Sequence, residues 1–231
     1  MNIAQIDTDI TFNTGASTSE FTAADRLIKI NNVIDDLHIQ ILQSQDGADF
    51  DDKNYTDSFP VETTDLVADQ ADYAMPAEMV KEKRLKISYD GTNWYKLTPF
   101  DINKVGVALK NDYFSVQAPY YDLHDNSIEI YPTPTENVTA GLQIWISRQM
   151  ALYTSAEVTT GTKSPGFDRQ FHKLVPLKVS WEWIFFKVKD YAKADRLKLE
   201  IEKLELKLKQ HYSDKQRDGN INARAEYVNY E

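Results

Sequence analysis

The residues best equipped for chemistry lie in one acidic stretch, "DFDDKNYTD", in which Asp49, Asp51, Asp52 and Asp57 stand close enough to share a cation or a proton. A twelve-residue calcium loop needs oxygen ligands at its first, third and fifth positions and glycine at its sixth. Started at Asp46, those positions hold Asp46, Ala48, Phe50 and Asp51; started at Asp49, they hold Asp49, Asp51, Lys53 and Asn54. Neither frame supplies the pattern. Asp51 and Asp52 could form a carboxylate pair, but acid–base work needs two groups whose surroundings drive their pKa values apart, and no partner base stands beside them. The simpler reading is a structural joint: Asp51, Asp52 and Asn54 bond to local backbone while Tyr55 packs inward. A carboxylate-based cation-binding or hydrolase domain using Asp49, Asp51, Asp52 and Asp57 is the alternative from a different class.

Other chemistry is sparse. His38, His124, His172 and His211 are scattered, none at the spacing that puts two imidazoles on one helical face, and they read as surface or structural histidines. Without cysteine there is no disulfide, thiol nucleophile or Cys-based zinc site. No nucleophile-elbow, phosphate-loop or dinucleotide fingerprint occurs among the eight glycines. The expectation is a protein that is not an enzyme and has no catalytic residues, cofactor or metal.

The charge is unevenly spread: residues 1–80 hold 3 basic against 16 acidic residues, residues 161–231 hold 15 against 11. An acidic first third opposes gripping a phosphate backbone, and the mildly basic last third reads as the solvated face of a helix. The first residues, "MNIAQIDTDITFNTGASTSE", have neither the basic nor the apolar region of a signal peptide, and no run reaches a membrane span. A soluble protein is expected.

Three kinds of segment position these residues. Residues 1–21 are rich in Ser, Thr, Asn and Asp and read as a loose N-terminal arm. Thr22, with Asp25 three residues on, caps a helix whose stripe is Leu27, Ile30, Ile34, Leu37 and Ile41, widened by Ile28 and Val33 and stopped at Gly47. From 55 to 150, short β-rich runs cut by prolines follow, including a hairpin from Arg84–Tyr89 across "DGTN" to Trp94, Tyr95 and Leu97. Helical spacing returns after "SPGF", first in an aromatic helix where Pro176 marks a kink or a break and Trp181, Trp183, Phe185 and Phe186 read as core. A second helix then follows along Leu197, Ile201, Leu204 and Leu208. The predicted fold class is α+β. A helical bundle is formed by residues 22–54 and 160–214, with a small antiparallel β domain (55–150) inserted and a C-terminal tail over 215–231. Tyr113, Phe114, Tyr120, Tyr121 and Tyr131 in the β domain serve either its core or a protein interface.

The order of "FDDKNYTD", "QADYAMP", "PYYDLHDNSIEIYPTP" and "SPGF" before an aromatic helix resembles head-to-tail adaptor (connector) proteins of short-tailed and related bacteriophages. These motifs span most of residues 22–190. The resemblance implies a structural virion protein located in the neck between capsid and tail and assembled in the host cytoplasm. Such subunits form a dodecameric ring that binds the portal protein on one side and the tail tube or nozzle on the other. Genomic DNA passes through the lumen without sequence-specific binding during ejection. It also implies a portal-binding C-terminal tail, which would place Tyr227, Val228 and Tyr230 at that contact. Another neck or tail-completion protein of the virion is the nearest alternative.

Overall fold

The computed structural model of the chain describes residues 1–45, 48, 50, 61–100 and 114–219. The fold is α+β. It divides into a helical unit, Met1–Asn54 with Met150–Glu231, and a β unit, Tyr55–Gln149.

The helical unit begins with a helix where an arm was expected. Asn2 accepts the Gln5 N–H at 3.0 Å while the Gln5 side chain accepts the Asn2 N–H at 3.0 Å, a reciprocal cap that starts α1 (Ile3–Thr14). Ile3, Ile6 and Ile10 recur at three and four residues and are fully buried. The threonines that made this segment look loop-like return their hydroxyls to the preceding turn, Thr8 to Ala4 O at 2.8 Å and Thr14 to Ile10 O at 2.8 Å. Burial of the isoleucine stripe outweighs their poor helix propensity, at about 2 kcal/mol per side chain.

Thr22 caps α2 (Ala23–Ser44) as expected, its Oγ accepting the Asp25 N–H at 3.2 Å and its hydroxyl donating to the Asp25 carboxylate at 2.6 Å. The helix ends at Ser44, with Gln45 as C-cap; Gly47 lies outside the described residues. Ile30, Val33, Ile34, Leu37 and Ile41 are buried, Leu27 partly. Ile28 is exposed instead of widening the stripe, because two residues from Ile30 it points roughly 160° away. α3 (Ser155–Thr160) ends at Gly161, whose φ of 67° suits glycine; a Cβ there would meet the Ala4 side chain at 2.6 Å. α4 (Leu174–Trp183) holds Pro176 in its first turn, where the missing N–H has no intrahelical partner to lose, so it neither kinks nor breaks the helix. α5 (Tyr191–Gly219) buries Ala194, Ile201, Leu208 and Tyr212, with Leu197 and Leu204 partly buried. It runs beyond residue 214, so 215–219 are helical rather than tail; later residues lie outside those described.

α2 also buries His38, whose ring meets Phe50 edge-on at 4.6 Å. Burial lowers its pKa below the ordinary 6.5, with Asp35 opposing. The unfolded chain therefore binds this proton more readily than the fold does, so the stability that neutral His38 contributes is present above the unfolded pKa and is lost as pH falls through the folded one. Urea unfolding at pH 8 and pH 5 should show a drop in stability for the native chain that His38→Leu reduces; equal drops would remove His38 as the cause.

Among its described residues the β unit contains two four-stranded sheets where one was expected. The first, in the order β1-β8-β3-β4, consists of β1 (Val61–Leu66), β8 (Val138–Arg148), β3 (Met79–Ile87) and β4 (Tyr95–Lys96), all antiparallel. The second, in the order β2-β7-β6-β5, consists of β2 (Asp72–Ala74), β7 (Ser127–Tyr131), β6 (Tyr120–His124) and β5 (Thr98–Pro99), with β5 parallel to β6. Pro99 occupies the edge strand, where a missing donor is tolerated. Alternation along β8 sends Leu142, Ile144 and Ile146 into one core with Leu85 and Ile87 of β3 and Ile128 and Ile130 of β7. The expected hairpin forms between β3 and β4, its turn held by Asp90, whose carboxylate accepts the N–H of Asn93 at 2.7 Å and of Thr92 at 2.9 Å. Those bonds keep the Asp90 pKa well below the usual carboxylate range.

Candidate interaction surface

α4 is apolar almost all round, yet only part of it faces α1, α2 and α5. Leu174, Val175, Leu177 and Val179 fill the packed side. After Trp183 the backbone widens into one π-helical turn, Ile184–Val188, closed by Lys189 in the left-handed region at φ 60°, whose N–H donates to Ile184 O at 2.8 Å. Ile184 is buried. Four residues on, where an α-helix would return to the same side, Val188 is more than half exposed.

The turn therefore lifts apolar side chains off the bundle. Phe186 is 60% exposed, and Val188 and Tyr191 are also more exposed than buried. Phe185 links them: it stacks on Trp181 at 5.5 Å and meets Phe186 and Tyr191 edge-on at 5.0 and 5.4 Å. Trp183, one turn back, stacks on Phe21 at 4.1 Å with the rings nearly parallel. Phe186 thus stands as a ridge between two grooves. One, of about 380 Å³, is lined by Phe21, Lys29, Glu182, Trp183 and Lys187; the other, of about 430 Å³, by Val33, Lys178, Trp181, Ile201 and Glu205.

Charged groups share the lining of both grooves with these aromatic side chains. Lys29 pairs with Glu182, tying α2 to α4, and Lys178 pairs with Glu205 at 2.8 Å, tying α4 to α5. At the edge of the first groove Glu20 accepts the Ser17 hydroxyl at 2.7 Å and the Ser17 N–H at 3.0 Å, and these bonds hold its pKa below the usual range. An aromatic centre inside a polar rim is the anatomy of a protein-docking surface. The expectation that Trp181, Trp183, Phe185 and Phe186 form core is corrected here: Phe186 is exposed and the other three only half-buried. The signal was present in "IFFKVKDY", where Lys187, Lys189 and Asp190 break the apolar spacing just after Ile184.

The proposed joint residues Asp51, Asp52, Asn54 and Tyr55 lie outside the described residues, as do the tail residues Tyr227, Val228 and Tyr230 and the carboxylates Asp49 and Asp57. What is described beside the joint is apolar: Ala48 and Phe50 are buried in the helical core. The histidines serve packing and ion pairs. His172 Nε2 bonds to Phe167 O at 2.8 Å and its Nδ1 to the Met1 amine at 2.9 Å; His124 meets Glu129 at 3.0 Å. His211 and Lys215 both reach Asp168, at 2.6 and 2.7 Å; burial pushes the Asp168 pKa up, but these bonds outweigh it and hold the carboxyl below its usual range. Among the described residues no group of three or more acids and histidines could hold a metal ion, and no helix is long and apolar enough to cross a membrane. In the β unit, Phe100, Phe114, Tyr120 and Tyr131 form an aromatic cluster, Phe114 stacking on Tyr131 at 4.9 Å, while Tyr121 is buried in the sheet core; Tyr113 lies outside the described residues. No protein-family model matches the sequence, and no curated protein matches it.

Proposed function

We propose that the chain is a structural virion protein, a subunit of the head-to-tail adaptor ring that joins a bacteriophage portal to its tail and lines the DNA passage. The observation that carries this reading is the ordered set of motifs and the work their residues do. Tyr73 of "QADYAMP" is buried, its phenol accepting the Val67 N–H at 3.1 Å and donating to Gln70 O at 3.0 Å. "PYYDLHDNSIEIYPTP" supplies the β6–β7 pair, and "SPGF" supplies Phe167, buried against the His172 ring at 5.2 Å. These are framework residues, as a likeness between scaffold proteins requires. The Phe186 ridge adds a surface suited to one of the neighbouring virion proteins.

In this reading the protein acts through contacts rather than chemistry. Its partners are further copies of itself, the portal protein and the tail tube or nozzle, and it encloses DNA without reading its sequence. The test is mass measurement of the purified protein with and without a portal protein from the same virion. A chain that stays monomeric and never joins the portal removes the proposal; a monomer that assembles only on the portal is consistent with it. Phe186→Asp should lower recruitment to a virion partner by about tenfold or more, because a carboxylate would occupy the apolar centre of the contact. The unfolding midpoint should stay within about 2 °C, since the side chain is already in water. Unchanged recruitment would move the contact away from this ridge.

A further inference from the structure

Two other faces of the helical unit carry exposed aliphatic side chains, and their charges are opposite. On the outward side of α2, Ile28 and Ile39 are 57% and 54% exposed; on that of α5, Leu199 and Leu206 are both 59% exposed. Asp35 lies seven residues after Ile28 and four before Ile39, hence between them on one face. Lys203 lies four after Leu199 and three before Leu206, and so stands between the two leucines in the same way. The exposed charges along α2 are acidic (Asp25, Asp35 and Asp36), whereas between Leu199 and Gln210 the exposed charges of α5 are Lys203, Lys207 and Lys209 against Glu202, which pairs with Lys198 at 4.0 Å, so that part of α5 is basic on balance. None of Asp35, Asp36, Lys203, Lys207 or Lys209 makes an ion pair among the described residues.

The two faces cannot meet within one chain. α2 already packs on α4 and α5 through Ile30, Ile34, Leu37 and Ile41, and α5 packs inward through Ala194, Ile201 and Leu208, so both stripes point out of the bundle. We infer that a second copy of this chain docks its basic α5 face, centred on Leu199, Lys203 and Leu206, against the acidic α2 face centred on Ile28, Asp35 and Ile39. The aliphatic pairs bury against each other and Lys203 meets Asp35. The contact is head-to-tail, because each copy presents one face of each kind, and such a contact closes a ring when its rotation closes. This deepens the adaptor reading by naming the surfaces through which its subunits would meet, and it rests on that reading only for the ring.

The chain has no cysteine, so introduced thiols report the contact without background. Asn32→Cys places a thiol between Ile28 and Ile39, and Gln210→Cys places one just past Leu206; both positions are exposed and leave the charges intact. The two variants, one carrying a mass tag, are mixed and treated with a flexible bismaleimide. A head-to-tail contact yields the mixed cross-link, while each variant alone yields little, because its thiol faces a partner surface without one. Asp35→Lys in the first variant should reduce the mixed product by about tenfold, and Lys203→Asp in the second should restore it. Thermal midpoints of all variants verify that they remain folded. Equal self-cross-linking of either variant, no mixed product at the highest soluble concentration, or indifference to Asp35→Lys overturns the inference. These failures would leave portal co-assembly untouched, whereas loss of portal co-assembly with the cross-link intact would remove the adaptor reading and keep the self-contact.

Discussion

Removal of residues 1–14 is expected to unfold the helical unit rather than trim it. Ile3, Ile6 and Ile10 are fully buried, and burying each is worth about 2 kcal/mol or more. The same deletion strands a buried cation. Arg26 is 5% exposed and donates through Nε and Nη2 to the two carboxylate oxygens of Asp7, at 2.6 and 3.0 Å, while its Nη1 donates to Phe21 O. Without Asp7 the guanidinium keeps its desolvation cost and loses its counter-charge, at about 3 kcal/mol. The combined loss approaches the whole stability of an ordinary domain, about 5–15 kcal/mol. Urea unfolding followed by circular dichroism should show the cooperative helical transition disappear in the deletion and weaken by about 3 kcal/mol in Asp7→Ala. An unaltered midpoint in the deletion would return the segment to the status of an arm.

The second large effect falls in the β unit. Arg148, at the end of β8, is 2% exposed and pairs with Glu62 of β1, which retains some contact with water. Glu62→Ala leaves the guanidinium buried without this carboxylate and should destabilise the unit by about 3–5 kcal/mol, lowering its unfolding midpoint by roughly 15 °C or more. Combining it with Arg148→Met should recover much of that loss, because a flexible apolar side chain fills the same space without a charge to desolvate. The order of the two midpoints decides the matter. If the double variant is no more stable than Glu62→Ala, then Arg148 contributes through its packing or its other contacts and not through the pair.

Different physical causes made the fold legible in places and hidden in others. The α2 stripe, the Thr22 cap and the Leu197–Leu208 seam were readable because both helices carry an unbroken 3.6-residue apolar period, on strong helix formers in α5 and behind a capping residue in α2. α1 carried the same period in Ile3, Ile6 and Ile10, but Thr8, Thr11 and Thr14 favour turns until their hydroxyls find a carbonyl one turn back, and only tertiary burial makes that arrangement win. The division into two sheets was not legible, since alternation tells which residues face a core but not which strands pair. The Phe186 ridge was only partly legible: Lys187, Lys189 and Asp190 mark where the apolar spacing breaks, but a buried aromatic and an exposed one look alike in sequence. What distinguishes them is the π turn, after which Phe186 and Val188 are exposed while Ile184 stays buried.

The β unit is one continuous stretch, Tyr55–Gln149, whereas the helical unit needs both ends of the chain: α1 and α2 from the start, α4 and α5 from after residue 150. During synthesis this imposes an order. The β unit can close as soon as its last strand, β8, leaves the ribosome, while the isoleucine faces of α1 and α2 wait for helices not yet made. At about 5–20 residues per second, the interval from the end of α2 to the end of α5 lasts roughly 10–35 s. For that time two apolar stripes stand open, and over its last part, once β8 has been made, the β unit is already complete. Crowded translation of many copies would favour premature pairing of those stripes between chains, so the yield of folded protein should be more sensitive to synthesis rate than its final stability would suggest.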